Sequence, residues 1–193
     1  MRNNKALNKI DIRIIEELSQ NPRSTLTDLA TNTKISRPTI TTHIKNLIDS
    51  GLLIYEAGLS LRTMDFVTAL VALEVKNEQT RIDTEDCLSH CPRVKHIFRT
   101  PGKANIHAFC WGEDDHTLTA IINTFRSMPD TEVISTLYLG HPIFGDYIID
   151  LSKEISKETP CRKILCKECQ TYLNGDCLGC PSTVDYKGPL RVV

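Results

Sequence analysis

The sequence has few aromatic residues and no long apolar run. Aromatic side chains make up 6% of its 193 residues, and there is a single Trp. No apolar stretch approaches the roughly 20 residues that a membrane-spanning helix needs. The first residues, MRNNKALNKID, also lack the apolar core of a secretory signal. We therefore expect a soluble, cytoplasmic protein with no membrane partner.

Sequence motifs for catalysis are missing as well. We find no paired acid–base motif, no Ser-His-Asp arrangement, no glycine-rich phosphate loop and no internal repeat. These absences argue against an enzyme and favour a protein that acts by binding. Histidines without ligand-like spacing, for which surface or structural roles are expected, lie at positions 90, 96, 107, 116 and 141.

Cysteine, in contrast, is abundant, with 8 residues in the chain. In a reducing cytosol this number favours metal ligation or thiol chemistry over a framework of disulfides. Cys87 and Cys91 lie four apart on one face of a predicted helix and Cys110 lies on a predicted strand, and all three are expected to be small core residues. The remaining cysteines lie near the C-terminus.

The N-terminal third combines helical periodicity with a mild positive bias. Residues 1–64 carry nine Lys and Arg against six Asp and Glu, which permits DNA binding. Three segments have apolar residues at helical spacing, each preceded by a capping residue, Asn8, Thr25 or Ser36. The third segment, SRPTITTHIKNLIDSG, should end at Gly51. The LLIYEA run that follows is predicted to form the strand of a wing.

The third predicted helix has one apolar face and one polar face. Ile40, Ile44, Leu47 and Ile48 are expected to point inward. The opposite face carries short hydrogen-bonding groups and a cation, which suit the DNA major groove, while the helix N-terminus favours a phosphate. A three-helix bundle with a solvated third helix remains an alternative on periodicity alone. The residues predicted to contact DNA are Ser36, Arg37, Thr39, Thr42, Lys45 and Asn46.

The same region resembles the DNA-binding domain of the Lrp/AsnC (feast/famine) transcription regulators. It has the Ile-Asp start of that family, the Leu-x-x-Leu-Ala of the second helix and the Ile-Ser-x-x-Thr entry into the third. A Leu-x-x-x-Gly ending follows at the matching spacing. The resemblance implies a winged helix-turn-helix that binds specific sequences of double-stranded DNA and regulates transcription.

From Phe66 onward the pattern changes to strands and short helices. The run FVTALVALEV is almost continuously apolar, which predicts a strand buried on both faces. The segments after it complete a βαββαβ order, which is ferredoxin-like. One face of the sheet can be covered by the helices of the domain. We expect a second copy of the chain to cover the other, giving a homodimer or a larger oligomer.

The βαββαβ order also resembles the ligand-binding and assembly domain of the Lrp/AsnC family. That resemblance implies a small effector, such as an amino acid, bound between subunits near Gly102 and Asn105. Family members that bind amino acids often carry Gly-x-x-Asp here, whereas this chain has GKAN, with Asn105 replacing the acid. An amide lacks the negative charge that an ammonium group requires, which argues against a free amino acid.

The C-terminal tail contains two C-x-x-C pairs, Cys166 with Cys169 and Cys177 with Cys180. Two such turns can supply the four thiolates of a tetrahedral zinc site. Metal binding would also order a segment that is too short to bury a core of its own. An iron–sulfur cluster is an alternative, because Cys161, Cys166 and Cys169 reproduce the C-x4-C-x2-C opening of plant-type ferredoxins.

The role of the tail is open between a structural zinc clip, a metal or redox sensor and a docking module for another protein. In architecture the chain is similar to archaeal metal-responsive regulators that append a TRASH-type domain, although its cysteine spacing differs. The main alternative function is enzymatic, since sirohaem decarboxylases resemble the same two-domain plan. In that interpretation Cys91-Pro92 or Cys180-Pro181 would supply a haem thiolate.

Together these patterns predict an α+β protein in three parts. Residues 1–64 form a winged helix-turn-helix with its wing and linker, and residues 65–145 form a ferredoxin-like domain for ligand binding and oligomerisation. Residues 146–193 form a linker helix and a cysteine-rich, metal-binding tail. The predicted metal ligands are Cys166, Cys169, Cys177 and Cys180, with Cys161 as a further thiol.

Overall fold

The computed structural model describes residues 7–149 and 165–190, which divide between Glu56 and Ala57 into two compact units. The predicted α+β class, with helix-turn-helix elements followed by a mixed domain with an antiparallel sheet, is confirmed. The helices are α1 (Lys9–Gln20), α2 (Leu26–Thr33), α3 (Arg37–Asp49), α4 (Glu78–Ser89), α5 (Asp115–Arg126) and α6 (Gln170–Leu173). The strands are β1 (Leu59–Ser60), β2 (Val67–Val75), β3 (Val94–Arg99), β4 (Ile106–Gly112), β5 (Thr131–Leu139) and β6 (Ile148–Ile149).

The first unit packs α1, α2 and α3 around a small apolar core. Each helix begins one residue after its predicted cap, and the side chains of Asn8, Thr25 and Ser36 each accept a hydrogen bond from a backbone N–H of the first turn. Lys34 adopts a left-handed conformation (φ 58°) that ends α2 and starts the turn into α3. The buried residues of this core are Ile14, Leu18, Leu29 and Ile40.

The predicted wing strand is wrong, because residues 52–57 contain no strand in the structure. The next strand along the chain, β1, belongs to the second unit and pairs antiparallel with β6. Ile54 is 77% exposed, so this apolar run has no neighbouring strand to cover it. A strand needs a partner for its backbone groups, and sequence pattern alone does not supply one. The predicted boundary, after residue 64, falls within the second unit.

The second unit contains a four-stranded antiparallel sheet in the order β3-β4-β2-β5. Helices α4 and α5 contribute Leu88, Leu118 and Phe125 to the core that one face of the sheet buries. Gly112, at the end of β4, allows the start of α5 to approach closely, since a Cβ there would lie 2.8 Å from the Leu118 nitrogen. The connectivity β2-α4-β3-β4-α5-β5 is the βαββαβ order predicted from the sequence.

The opposite face of the sheet is partly covered by the chain itself, which the sequence prediction did not include. Phe66 stacks on Trp111 at 5.3 Å between ring centroids, and Tyr147 lies 4.3 Å from Phe109. Toward β5 this face remains open, and Leu137 is 58% exposed. The residues around β1 and β6 thus form a second apolar cluster with Trp111 of β4, which covers part of this face.

The cysteine-rich segment 165–190 belongs to the second unit and contains a 3-10 turn (Cys166–Glu168) and α6. Its buried side chains include Cys166, Tyr172, Thr183 and Tyr186. The linker helix predicted before it falls on residues 150–164, outside the described residues, and so does Cys161. Within the described part of the chain, no helix combines the length and apolar character needed to span a membrane.

Candidate DNA-binding surface and cysteine-rich site

Helix α3 is held by its apolar face in the first unit. Ile40 and Leu47 are buried and Ile44 is partly buried, as predicted. Ile48 was predicted to point inward but is 45% exposed. Its position, one residue past Leu47, turns it about 100° away from the buried stripe. The inward face of α3 is therefore narrower than the sequence pattern indicated.

The opposite face of α3 is exposed and polar, and it contains the residues predicted to contact DNA. Ser36, Arg37, Thr42, Lys45 and Asn46 are all exposed, and Thr39 is partly exposed. The Ser36 hydroxyl lies 2.8 Å from the Thr39 hydroxyl and caps the helix by accepting from the Thr39 backbone N–H. Short hydrogen-bonding side chains and two cations thus share one solvent-accessible surface at the start and middle of α3.

Thr42 has its hydroxyl hydrogen committed within the helix. Its Oγ1 donates to the Pro38 carbonyl oxygen at 3.0 Å. The oxygen can still accept a hydrogen bond, and the methyl group is free to contact apolar surface. On this geometry Thr42 could accept from an adenine or cytosine amino group or contact a thymine methyl.

A contact between α1 and α3 fixes the orientation of the exposed face. His43 Nδ1 lies 2.7 Å from Asp11 Oδ1, and both side chains are largely buried, at 21% and 13% exposed. The other carboxylate oxygen of Asp11 accepts from the Asn8 backbone N–H in the capping box of α1. Asp11 therefore joins the start of α1 to the middle of α3. Neither Asp11 nor His43 was predicted to join the two helices, because the contact spans 32 positions of the sequence.

Asn105, one of the two predicted effector-binding residues, is engaged with the backbone. Its Oδ1 accepts from the Val75 N–H at 3.0 Å, and its Nδ2 donates to the Val75 carbonyl at 2.8 Å. The side chain thus completes the hydrogen bonding at the end of β2. Gly102 lies in the exposed turn before β4, with φ +111°, a conformation that favours glycine.

The two C-x-x-C pairs form tight turns, and in the second pair a backbone N–H points at sulfur. Gly179 donates from its N–H to Cys177 Sγ at 3.4 Å, and the nearby Ser182 backbone N–H acts to lower the pKa of Cys180. In the first pair, the Cys169 N–H donates to the Cys166 carbonyl at 3.0 Å. N–H donors aimed at sulfur favour the thiolate, which is the form that ligates metals.

The thiols of the two pairs influence one another electrostatically. Burial raises the pKa of Cys177, and the neighbouring Cys166 and Cys169 add to the increase. Burial raises the pKa of Cys180 to about 12, with smaller contributions from Cys91 and Cys166. The donor set has the chemistry of a zinc site, namely four sulfur ligands. Among residues 7–149 and 165–190, however, no three Cys, His, Asp or Glu side chains are grouped as a metal site requires.

Arg93 is buried between the sheet and the cysteine-rich segment, at 3% exposure. Its Nη1 donates to Glu113 Oε2 at 2.5 Å, and its Nη2 donates to the Gly179 carbonyl at 2.6 Å. Burial disfavours the charged guanidinium, but the charge of Glu113 and the hydrogen bond to it outweigh that effect, so the pKa of Arg93 is raised. The guanidinium also lies 5.1 Å from the centroid of the Trp111 ring.

Glu113 makes a second contact with the cysteine-rich segment. The Tyr186 hydroxyl donates to Glu113 Oε1 at 2.5 Å. Burial raises the pKa of the Tyr186 phenol, and the hydrogen bond to Glu113 adds to the increase. Arg93 and Glu113 were not predicted as site residues, since a charged residue beside an apolar strand is typical of surfaces, and Tyr186 has no signal in the sequence that marks it as a partner of Glu113.

The three other described cysteines lie in the second unit. Cys91 and Cys110 are buried in the main core, and Cys87 on α4 is partly buried. The Cys110 thiol donates to the Ala69 carbonyl at 3.6 Å, and burial raises its pKa to about 12. Such a thiol is protonated at neutral pH and fills core space, as the sequence predicted for Cys91 and Cys110.

Comparison with known proteins supports the assignment of the N-terminal unit. Residues 7–54 match the model of a family described as winged helix-turn-helix DNA-binding. No curated protein matches the sequence. The part of the chain that contains α1, α2 and α3 is therefore similar to winged helix-turn-helix DNA-binding domains, although residues 52–57 contain no strand.

Solved structures resemble the chain over both units. Escherichia coli AsnC has 18% identity and a TM-score of 0.64, and it matches over 75% of this chain and 99% of its own. The leucine response regulatory protein LrpA of Mycobacterium tuberculosis has 18% identity and a TM-score of 0.64, over 72% and 96%. A transcriptional regulator from Neisseria meningitidis in complex with L-methionine has 21% identity and a TM-score of 0.61, over 76% and 98%. This chain therefore has the fold of Lrp and AsnC regulators.

Proposed function

We propose that this protein is a sequence-specific DNA-binding transcription regulator of the Lrp/AsnC type. The observation that carries the proposal is the polar face of α3, which is exposed in a domain that matches winged helix-turn-helix DNA-binding proteins. Arg37 and Lys45 supply the positive charge for phosphates, and Thr42 and Asn46 supply groups that can read base edges.

A selection from random DNA duplexes tests this proposal. The full-length protein should enrich one motif, and Thr42→Ala should change the preferred base at one position of it. Arg126→Ala, which removes a charge from α5 in the other unit, should leave the motif unchanged. Enrichment of no motif by the wild-type protein would contradict sequence-specific binding.

Self-association is part of the proposal. On the open side of the sheet, Leu137 on β5 pairs in register with Leu70 on β2, and Leu137 is 58% exposed. A second copy of the chain covering this face would remove apolar surface from water. Light scattering of the wild-type protein should give the mass of two chains or more, and Leu137→Lys should reduce that mass. A wild-type protein with the mass of one chain would contradict self-association.

A small effector is also proposed, because the similar Neisseria meningitidis regulator was solved with L-methionine. Gly102 and Asn105 remain the sequence-based positions for it, although both amide atoms of Asn105 are bonded to Val75. An effector near this turn would therefore contact exposed backbone, such as that of Gly102, in preference to the Asn105 amide.

In our proposal the cysteine-rich segment holds one zinc ion through Cys166, Cys169, Cys177 and Cys180. The support is the chemistry of the four thiols and the Gly179 N–H directed at Cys177 Sγ. A zinc ion would have to draw the four sulfurs closer together, and this coupling of binding to folding is usual for small zinc segments. An iron–sulfur cluster that includes Cys161 is the competing cofactor, and a colourless protein containing zinc would exclude it.

The regulator is favoured over a sirohaem decarboxylase. Cys91, one of the two thiols that the haem interpretation would use, is 5% exposed in the main core. Cys180, the other, lies in the turn that binds Arg93 through the Gly179 carbonyl. The similar solved structures include transcriptional regulators, and an absorption spectrum of the purified protein without a haem band would agree with this choice.

A further inference from the structure

The cysteine-rich segment is packed on the sheet through polar groups that are almost fully buried. Arg93 and Glu113 have side chains that are each 4% exposed, although both are charged. A buried ion pair is costly unless further hydrogen bonds satisfy the remaining donors and acceptors. The partners that satisfy them here, the Gly179 carbonyl and the Tyr186 hydroxyl, both come from the cysteine-rich segment.

Each member of the ion pair therefore bonds both to the other member and to the cysteine-rich segment. Arg93 binds Glu113 on the sheet side and Gly179 in the segment, while Glu113 binds Arg93 and Tyr186. The ring of Tyr186 also lies 5.9 Å from the Arg93 guanidinium. Without the segment, one donor of Arg93 and one acceptor of Glu113 would lose their partners. The pair is thus complete only when the segment is bound.

Gly179 connects this contact to the thiols, because it lies between Cys177 and Cys180 in the second C-x-x-C turn. Its N–H donates to Cys177 Sγ, and its carbonyl accepts from Arg93. Its φ of +84° and the close approach of the Tyr172 ring, 3.1 Å from where a Cβ would lie, fix the conformation of the turn. A change in the position of the Gly179 carbonyl would therefore reposition the turn that carries both sulfurs.

We propose that the Arg93–Glu113 pair is an internal binding site for the cysteine-rich segment and positions the Cys177–Cys180 turn for metal ligation. The metal half of this inference rests on the zinc site of the proposed function. Arg93 is a positioning residue here and not a ligand. Because metal binding and docking involve the same turn, each should strengthen the other by the same factor. The zinc state of the segment is thereby linked to the sheet domain.

The test uses the full-length protein and two variants that keep the fold. Arg93→Lys retains a cation for Glu113 but lacks the planar fork that also reaches Gly179. Tyr186→Phe removes a single hydroxyl. Arg99→Lys is the matched control, since Arg99 also binds a glutamate through two nitrogens, at the exposed Glu85 pair.

Two readouts are measured for each protein. The first is the rate of chymotrypsin cleavage after Tyr172 and Tyr186 in zinc-free protein with EDTA, because both rings are buried only while the segment is packed. The second is the zinc dissociation constant from competition with a chromophoric chelator. Arg93→Lys should accelerate cleavage, and it should weaken zinc binding by about tenfold, which is typical when an outer-sphere partner is lost. Tyr186→Phe should shift both in the same direction.

The possible outcomes separate the inference from the proposed function. Cleavage rates and zinc affinities of Arg93→Lys and Tyr186→Phe within about twofold of the exposed control Arg99→Lys would overturn the inference. If the wild-type protein binds no zinc, the zinc site of the proposed function fails, and cleavage alone decides the docking half. Should Arg93→Lys fail to fold, Tyr186→Phe carries both measurements.

Discussion

Arg93 and Glu113, 20 residues apart in the sequence, form an ion pair of 2.5 Å whose side chains are each 4% exposed. Neutralising one partner leaves the other charge buried without compensation. Glu113→Gln should therefore lower the free energy of unfolding by about 3 kcal/mol, measured by urea denaturation. Glu85→Gln, at the pair with Arg99, whose side chain is 61% exposed, should lower it by less than about 1 kcal/mol. Equal losses in the two variants would contradict the buried pair.

Asn105 is expected to stabilise the end of β2. Asn105→Asp keeps an acceptor for the Val75 N–H but loses the donor to the Val75 carbonyl. The free energy of unfolding should fall by about 1–2 kcal/mol. Asn123→Asp is the control, because exposed Asn123 accepts from Arg126 through Oδ1, a role that a carboxylate retains. A variant as stable as the wild type would show that the bonds to Val75 contribute little.

The buried thiol of Cys110 predicts a loss of stability at alkaline pH. Its pKa is raised by burial from 9.0 to about 12, so the folded chain holds a proton that the unfolded chain releases above pH 9. Stability from this group is complete below pH 9 and is lost as the pH rises toward 12. Urea denaturation at pH 8, 9 and 10 under reducing conditions should show a decline that is shallower in Cys110→Ala. Parallel declines in the two proteins would assign the effect to other groups.

Zinc content tests the cysteine pairs directly. The purified protein should contain about one zinc per chain, and Cys177→Ser should lose it because three thiolates leave the tetrahedral site open. Cys87→Ser, on α4, and Cys161→Ser should retain the metal. Iron with labile sulfide in the wild-type protein, together with loss of the metal in Cys161→Ser, would replace zinc by an iron–sulfur cluster.

The helix starts and the order of the strands could be predicted from the sequence because their signals are local. Asn8, Thr25 and Ser36 each cap a helix that begins one residue later, and the alternation of strand and helix patterns gives the βαββαβ order. The prediction of a wing strand was wrong because the formation of a strand is not decided locally. LLIYEA has the composition of a strand, but whether a strand forms depends on a partner elsewhere in the chain, and β1 pairs with β6 at residues 148 and 149.

The packing of the cysteine-rich segment could not be predicted, because it depends on contacts between distant residues. Arg93 meets the Gly179 carbonyl 86 positions later, and Glu113 meets Tyr186 73 positions later. In the sequence each of the two charged residues looks like an ordinary surface residue. The C-x-x-C spacing indicated the thiols of the site, but it contains no information on what holds them against the sheet.

The measurement that tests the central claim most directly is the salt dependence of DNA binding by Lys45→Ala. The claim is that the exposed face of α3 contacts the DNA, with Lys45 on a phosphate. Fluorescence anisotropy on a selected duplex should show weaker binding to all sequences, and the slope of log affinity against log salt should fall by about 0.9. Arg126→Ala, with the same loss of charge in the other unit, should keep the wild-type slope. Wild-type affinity and slope in Lys45→Ala would contradict DNA recognition by α3.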